Sequence, residues 1–159
     1  MVFTACHVIL SLIGILAGFV VVAGLLTSRR LDAWTAVFPG STLPTSVTRF
    51  LFPIHGIAPG LIFGLLSLIL PALAIYGRYP RHLEGGWRRT YAISSVTVLY
   101  LNFFILIVQL FEKVPALKTL APTKAEAPFK LAQVSALVLV IALTMLSAVR
   151  FRGNRVTPA

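Results

Sequence analysis

The chain has little acid and almost no cysteine. Of its 159 residues only Asp32, Glu84, Glu112 and Glu126 are acidic, against 14 lysines and arginines. All four lie in loops or at the ends of apolar stretches. That leaves no intramembrane carboxylate to relay protons or hold a cation, as pumps and proton-coupled carriers require. The single cysteine, Cys6, excludes an intramolecular disulfide. A Gly-rich phosphate loop, CxxC, HExxH and paired catalytic carboxylates are all missing. These absences argue against an enzyme. Charged residues make up 11% of the chain, less than half the roughly 25% of soluble domains. An ordinary soluble fold is excluded.

What remains is apolar. Five stretches, roughly Cys6–Leu26, Leu31–Phe52, Leu61–Tyr76, Tyr91–Phe111 and Leu131–Val149, read as membrane-spanning helices. At about 1.5 Å per residue, roughly 20 residues cross a hydrocarbon core of about 30 Å. Residues 1–159 therefore form a single transmembrane helical domain, an all-α bundle of five helices. The first stretch lacks a basic n-region and is long for a signal peptide, so it is expected to be retained.

The net charge of +10 is placed as in a membrane protein rather than a nucleic-acid binder. Arg29 and Arg30, then Arg78, Arg81, Arg88 and Arg89, then Arg150, Arg152 and Arg155 fall on one side of the five spans. Arg49, Lys113, Lys118, Lys124 and Lys130 fall on the other. Basic residues favour the cytoplasmic face, which puts the N-terminus outside and the C-terminus inside. Anionic lipids at the cytoplasmic face are the expected partner. Trp34, Tyr76, Tyr79, Trp87 and Tyr91 fall at the same boundary, where amphipathic rings favour the headgroup layer.

The second stretch is the weakest span, because Pro39, Gly40 and Pro44 interrupt it among many hydroxyl residues. Read as a loop, it would leave four helices and split the basic segments between faces. Proline removes a backbone donor and clashes with the preceding turn, so a kink or break at Pro39-Gly40 is expected.

Polar residues recur at helical spacing. The second helix aligns Thr35, Thr42, Ser46 and Arg49; the fourth aligns Tyr91, Ser95, Asn102 and Gln109; the fifth aligns Gln133, Thr144 and Ser147. Facing lipid these groups would be unsatisfied, so the stripes are expected to point inward. Ser95, Asn102 and Gln109 serve either as interhelical hydrogen bonds or as walls of a polar cavity. In the first helix, Ser11, Gly14 and Gly18 share a face, and Gly14 to Gly18 is a GxxxG step suited to close intramolecular packing.

The histidines are the only ligand candidates. His7 and His55 fall near the outer face and together could hold a haem iron or a soft metal, or contact a quinone, although they form no ligand-spacing motif. No metal site is read from them. His82 belongs to a cytoplasmic loop and is expected in solvent. Asp32 reads as a helix cap, and Glu112 with Lys113 as an interfacial pair. Pro115 starts and Pro122 follows a short outer helix whose apolar face is Val114, Leu117, Leu120 and Ala121.

The stretches Ser28-Arg29-Arg30-Leu31-Asp32-Ala33-Trp34-Thr35-Ala36-Val37-Phe38, Phe52-Pro53-Ile54-His55-Gly56 and Val114–Thr123 resemble a group of small bacterial membrane proteins without assigned function. The resemblance spans most of the chain and implies a bacterial inner membrane; it implies no activity or site. The expectation is a multi-pass protein without catalysis of its own, an accessory or scaffold component with a membrane-protein partner. The alternatives are a small binding or transport protein with a polar cavity, and a haem or quinone protein using His7 and His55.

Overall fold

The computed structural model describes residues 2–27, 29, 31–49 and 59–151, and within them the side chains of all but 2–7, 46, 48, 49 and 59–61. Among the described residues six helices follow one another: α1 (Val2–Leu26), α2 (Asp32–Arg49), α3 (Pro59–Arg78), α4 (Trp87–Lys113), α5 (Pro115–Leu120) and α6 (Ala127–Arg150). The described residues contain no strand. Helices dominate because each apolar stretch can then satisfy its backbone internally, without water. By length and composition three of them can cross a membrane: Val8–Leu26 of α1, α4 and α6. The described apolar part of α3, Ile62–Arg78, is shorter, and α2 is the most polar of the long helices.

Side-chain contacts fix the order. Gly14 faces Ser41 and Thr42, and Gly18 faces Phe38, so α1 and α2 run antiparallel. Asp32 at the start of α2 pairs with Arg78 at the end of α3. Tyr76 meets Trp87 while Phe63 stacks on Phe104, which makes α3 and α4 antiparallel. Tyr91 meets Phe151 while Phe111 meets Phe129, and the same holds for α4 and α6. The five long helices therefore alternate in direction. Arg29, Arg78, Arg81, Arg88, Arg89 and Arg150 gather at one end, and Lys113, Lys118, Lys124 and Lys130 at the other.

Helix α4 is the hub. It packs against α1, α3, α5 and α6, and ten of its residues are buried, including Tyr91, Ser95, Val96, Leu99 and Ile107. The larger core joins Ile15, Val21, Val22 and Leu25 of α1 to Phe38, Ala74, Val96, Leu99 and Phe151. A smaller one at the lysine end joins Ile107, Phe111, Ala121 and Ala136. The GxxxG step of α1 packs inside the bundle: a Cβ on Gly18 would lie 2.8 Å from both Leu99 Cδ1 and Phe38 Cε2.

Several expectations need correction. No break occurs in α2, which is helical without interruption from Asp32 to Arg49 through both Pro39 and Pro44. Hydroxyl groups along this helix bond one turn back to its own carbonyls. Thr35 Oγ1 donates to the Leu31 carbonyl at 2.7 Å, Ser41 Oγ to the Val37 carbonyl at 2.8 Å, and Thr45 Oγ1 to the Ser41 carbonyl at 2.8 Å. Tyr91 turns into the core, being 3% exposed, whereas Trp34, Tyr76 and Tyr79 are 46%, 43% and 49% exposed. Asp32 is the first residue of α2, and its carboxylate receives the Arg78 guanidinium. Glu112 pairs with Lys124, not with its neighbour Lys113. The short α5 begins at Pro115, as its sequence requires, but only part of its apolar face is used. Leu117 and Ala121 pack on the smaller core, while Leu120 stays 56% exposed.

Candidate functional site: a basic cleft between three helices

At the arginine end, α4 forms the floor of a cleft whose walls are α2 and α3. Phe38 and Pro39 line one wall, Pro71, Ala74 and Ile75 the other, and Val98 the floor. Toward the end of the bundle the lining becomes polar, with Thr35, Arg78, Tyr91 and Ser95. The cleft is narrow, with room for about one water molecule, about 10 Å³. A second recess of similar size adjoins it, sharing Thr35, Arg78 and Tyr91 and adding Arg29, Leu31 and Phe151.

Arg78 organises this region. Only 9% of its side chain is exposed, an uncommon state for arginine unless it is paired. The pairing partner is Asp32, itself 79% exposed at the rim. The guanidinium carbon lies 5.7 Å from the centre of the Tyr91 ring and 5.9 Å from that of Tyr79. Thr35, Ser95 and Arg78 all face the Tyr91 hydroxyl. Arg81 repeats the theme nearer the surface, 5.6 Å from the ring centres of both Tyr76 and Trp87. Such cation–π contacts contribute about 0.5–1 kcal/mol when exposed and about 2 when desolvated.

The connection from α3 to α4 closes tightly beneath these arginines. Arg81 N–H donates to the Tyr76 carbonyl and Leu83 N–H to the Gly77 carbonyl, at 3.2 and 2.9 Å. Reaching back that far demands positive φ at His82, Leu83 and Gly85. Leu83 is thereby turned into the core, and His82 outward into solvent.

The polar residues singled out from sequence do not converge on one cavity. Ser95 lines the cleft and is 2% exposed. Asn102 lies two turns further along α4, where its Nδ2 donates to Thr42 Oγ1 at 3.4 Å. Gln109 is two turns beyond that and half-buried. On α6, Gln133 Nε2 donates to the Phe104 carbonyl at 3.3 Å, and Ser147 is fully buried. The backbone of His7 belongs to α1 but its side chain lies outside the described residues, as does the whole of His55. Haem or quinone contact by that pair is therefore not addressed by the structure. Among the described residues, no three His, Cys, Asp or Glu side chains come together as metal ligands.

The Asp32–Arg78–Tyr91 cluster is what the sequence reading missed. Each residue had a separate ordinary role, as cap, topological charge and boundary aromatic. A signal was available: in consecutive antiparallel helices, the first residue of α2 and the last of α3 must end side by side. No protein-family model matches the chain, and comparison with curated proteins and with solved structures finds no match.

Proposed function

We propose that the chain is a five-span protein of a bacterial inner membrane that works as an accessory or scaffold component of a membrane assembly, without catalysis of its own. In this reading the arginine end is cytoplasmic, the N-terminus lies outside, and α2 and α3 cross with the three longer helices. The kinship with small bacterial membrane proteins belongs to the same proposal.

The supporting observation is the surface of α6. Of its 24 residues only Ala136 and Ser147 are buried. Leu131, Val134, Val138, Ile141 and Met145 recur at spacings of three and four and are 51–66% exposed. This is the stripe a second helix would occupy in knobs-into-holes packing. Ser135 and Ala142, exposed beside these larger side chains, supply the small residues that let membrane helices approach closely. By contrast, the mid-bundle polar groups Asn102 and Gln133 bond between the chain's own helices.

Photo-crosslinking from α6 tests the reading. A crosslinking residue at Val138 or Met145, in native membranes, is expected to trap a protein partner in defined stoichiometry, whereas one at Ile69 on α3 is not. Lipid adducts alone at both α6 positions would remove the scaffold reading.

A further inference from the structure

The exposed face of α6 can pair with its own image. Building on the reading of α6 as a docking face, we infer that its occupant is a second copy of this chain. The two α6 helices pack parallel, with Ser135 and Ala142 at the seam.

Helix α6 forms an edge of the bundle, packing mainly on α4 and less on α1. Of its apolar stretch 11% is buried, against 44% for α1 and 50% for α4. Leu131, Ser135, Val138, Ala142, Met145 and Val149 advance by four and three residues alternately. That is the spacing of the a and d positions along a coiled-coil seam. The four large members are 60–78% exposed, and the two small ones are exposed between them. In lipid, helices associate by close packing rather than by leaving the solvent, and small seam residues let two backbones approach.

Symmetry, charge and area select a second copy. Two copies inserted in the same orientation are related by a two-fold axis along the membrane normal, so each layer of the seam meets its own counterpart. Ser135 then faces Ser135. Elsewhere Ser67, Thr97 and Thr144 each donate to the carbonyl four residues back, at 2.7–2.8 Å. Among the described residues Ser135 makes no hydrogen bond. A hydroxyl left facing hydrocarbon is costly, whereas a hydroxyl that both donates and accepts is satisfied by its own image. A single polar seam residue also fixes register. No charge interrupts residues 131–149. Lys130 and Arg150 each lie one residue beyond the seam, turned about 100° from it, so like charges do not meet. Covered in both copies, the seam buries on the order of 1,000 Å² in total, the size at which an interface becomes specific.

Single cysteines in native membranes, in a background lacking Cys6, report the pairing. Under mild oxidation Ser135→Cys and Ala142→Cys should each give a disulfide-linked homodimer, because a parallel two-fold seam brings both positions against themselves. Leu137→Cys, exposed on the same helix but off the seam, and Ile69→Cys on α3 should not. Native mass spectrometry of the full-length protein in detergent should show pairs of the 17.3 kDa chain. Ser135→Ala should weaken association about threefold to twentyfold, the loss of one hydrogen bond between membrane helices. Ala142→Leu should abolish it by holding the backbones apart. Both positions face away from the bundle, so melting temperature should change little.

Self-linking at Leu137 or Ile69 as efficient as at Ser135 would mean random collision and overturn the pairing. Linking at Ser135 alone would mean helices that cross once, not a parallel seam. Undiminished association in Ser135→Ala would remove the hydroxyl contact that selects a second copy. Photo-crosslinking from Val138 tells failure of the pairing from failure of the docking face. A different protein trapped there, without self-linking, overturns the second copy and keeps the docking face, whereas lipid adducts alone overturn both.

Discussion

Asn102 on α4 donates a hydrogen bond to Thr42 on α2, joining two helices through residues sixty positions apart in sequence. In an apolar surrounding, such a bond holds a helix pair in one rotational setting. Its position beside Gly14, whose added Cβ would come within 3.2 Å of Thr42 Oγ1, makes it a three-helix junction. Close packing by glycine on one side permits the polar contact on the other.

Removing that bond should be measurable. Asn102→Leu is expected to lower thermal stability in detergent by roughly 0.6–2 kcal/mol, the range for hydrogen bonds between membrane helices. Thr42→Val should cost a similar amount. The double variant should cost less than the sum, because both remove the same contact. Strict additivity in melting curves would show that the two side chains act independently.

Two glycines should respond in opposite directions to the same substitution. Gly18→Ala places a methyl group 2.8 Å from Leu99 and Phe38 and should destabilise by about 1–3 kcal/mol through overpacking. Gly40→Ala meets nothing within 4 Å and lies in an unbroken helix, so it should stabilise by about 1 kcal/mol. A Gly40→Ala variant that melts earlier than the parent would show that α2 requires flexibility at that point.

Topology can be read with a membrane-impermeant thiol reagent on intact cells. In a background lacking Cys6, a cysteine at Ala116 in α5 should react and one at Gly85 should not. Both positions are exposed in the structure, so reactivity reports sidedness rather than burial. Equal labelling would overturn the five-span arrangement and, with it, the cytoplasmic placement of the arginine end.

The loop before α6 should loosen in acid. Glu126 Oε1 accepts hydrogen bonds from the Thr123 hydroxyl at 2.7 Å and the Thr123 amide at 3.2 Å. These bonds hold the carboxyl below its usual value of 4.5, with the hydroxyl contributing most. A lowered folded-state value means that the contribution is present above pH 4.5 and fades as pH falls through the folded value. Amide exchange at Thr123 and Ala125 should accelerate over that lower range, and Glu126→Gln should remove most of the pH dependence.

Much of the architecture is legible in the sequence because membrane helices carry a one-dimensional signal. Apolar length locates α1, α4 and α6, and Pro115 marks the start of α5. Tertiary detail obeys other rules. Sequence alone predicts a kink or break at Pro39-Gly40, but α2 is not broken there and stays helical through both prolines. Tyr91 looks like an interfacial aromatic by position, yet its rotational setting on α4 turns it inward over Arg78. The candidate site depends on which helix ends become neighbours, a property of the whole chain that no local window contains.

Because α4 is the hub, the order in which segments leave the ribosome matters. The pair α1–α2 can form as soon as both are made, since Gly14 needs only Ser41 and Thr42. Gly18 must wait, because Leu99 fills its other side. Helix α3 likewise finds its largest partner only when α4 follows it. A nascent chain ending before Trp87 is therefore an unfinished assembly with its small residues uncovered, and quality-control proteases would meet it in that state until the fourth helix arrives.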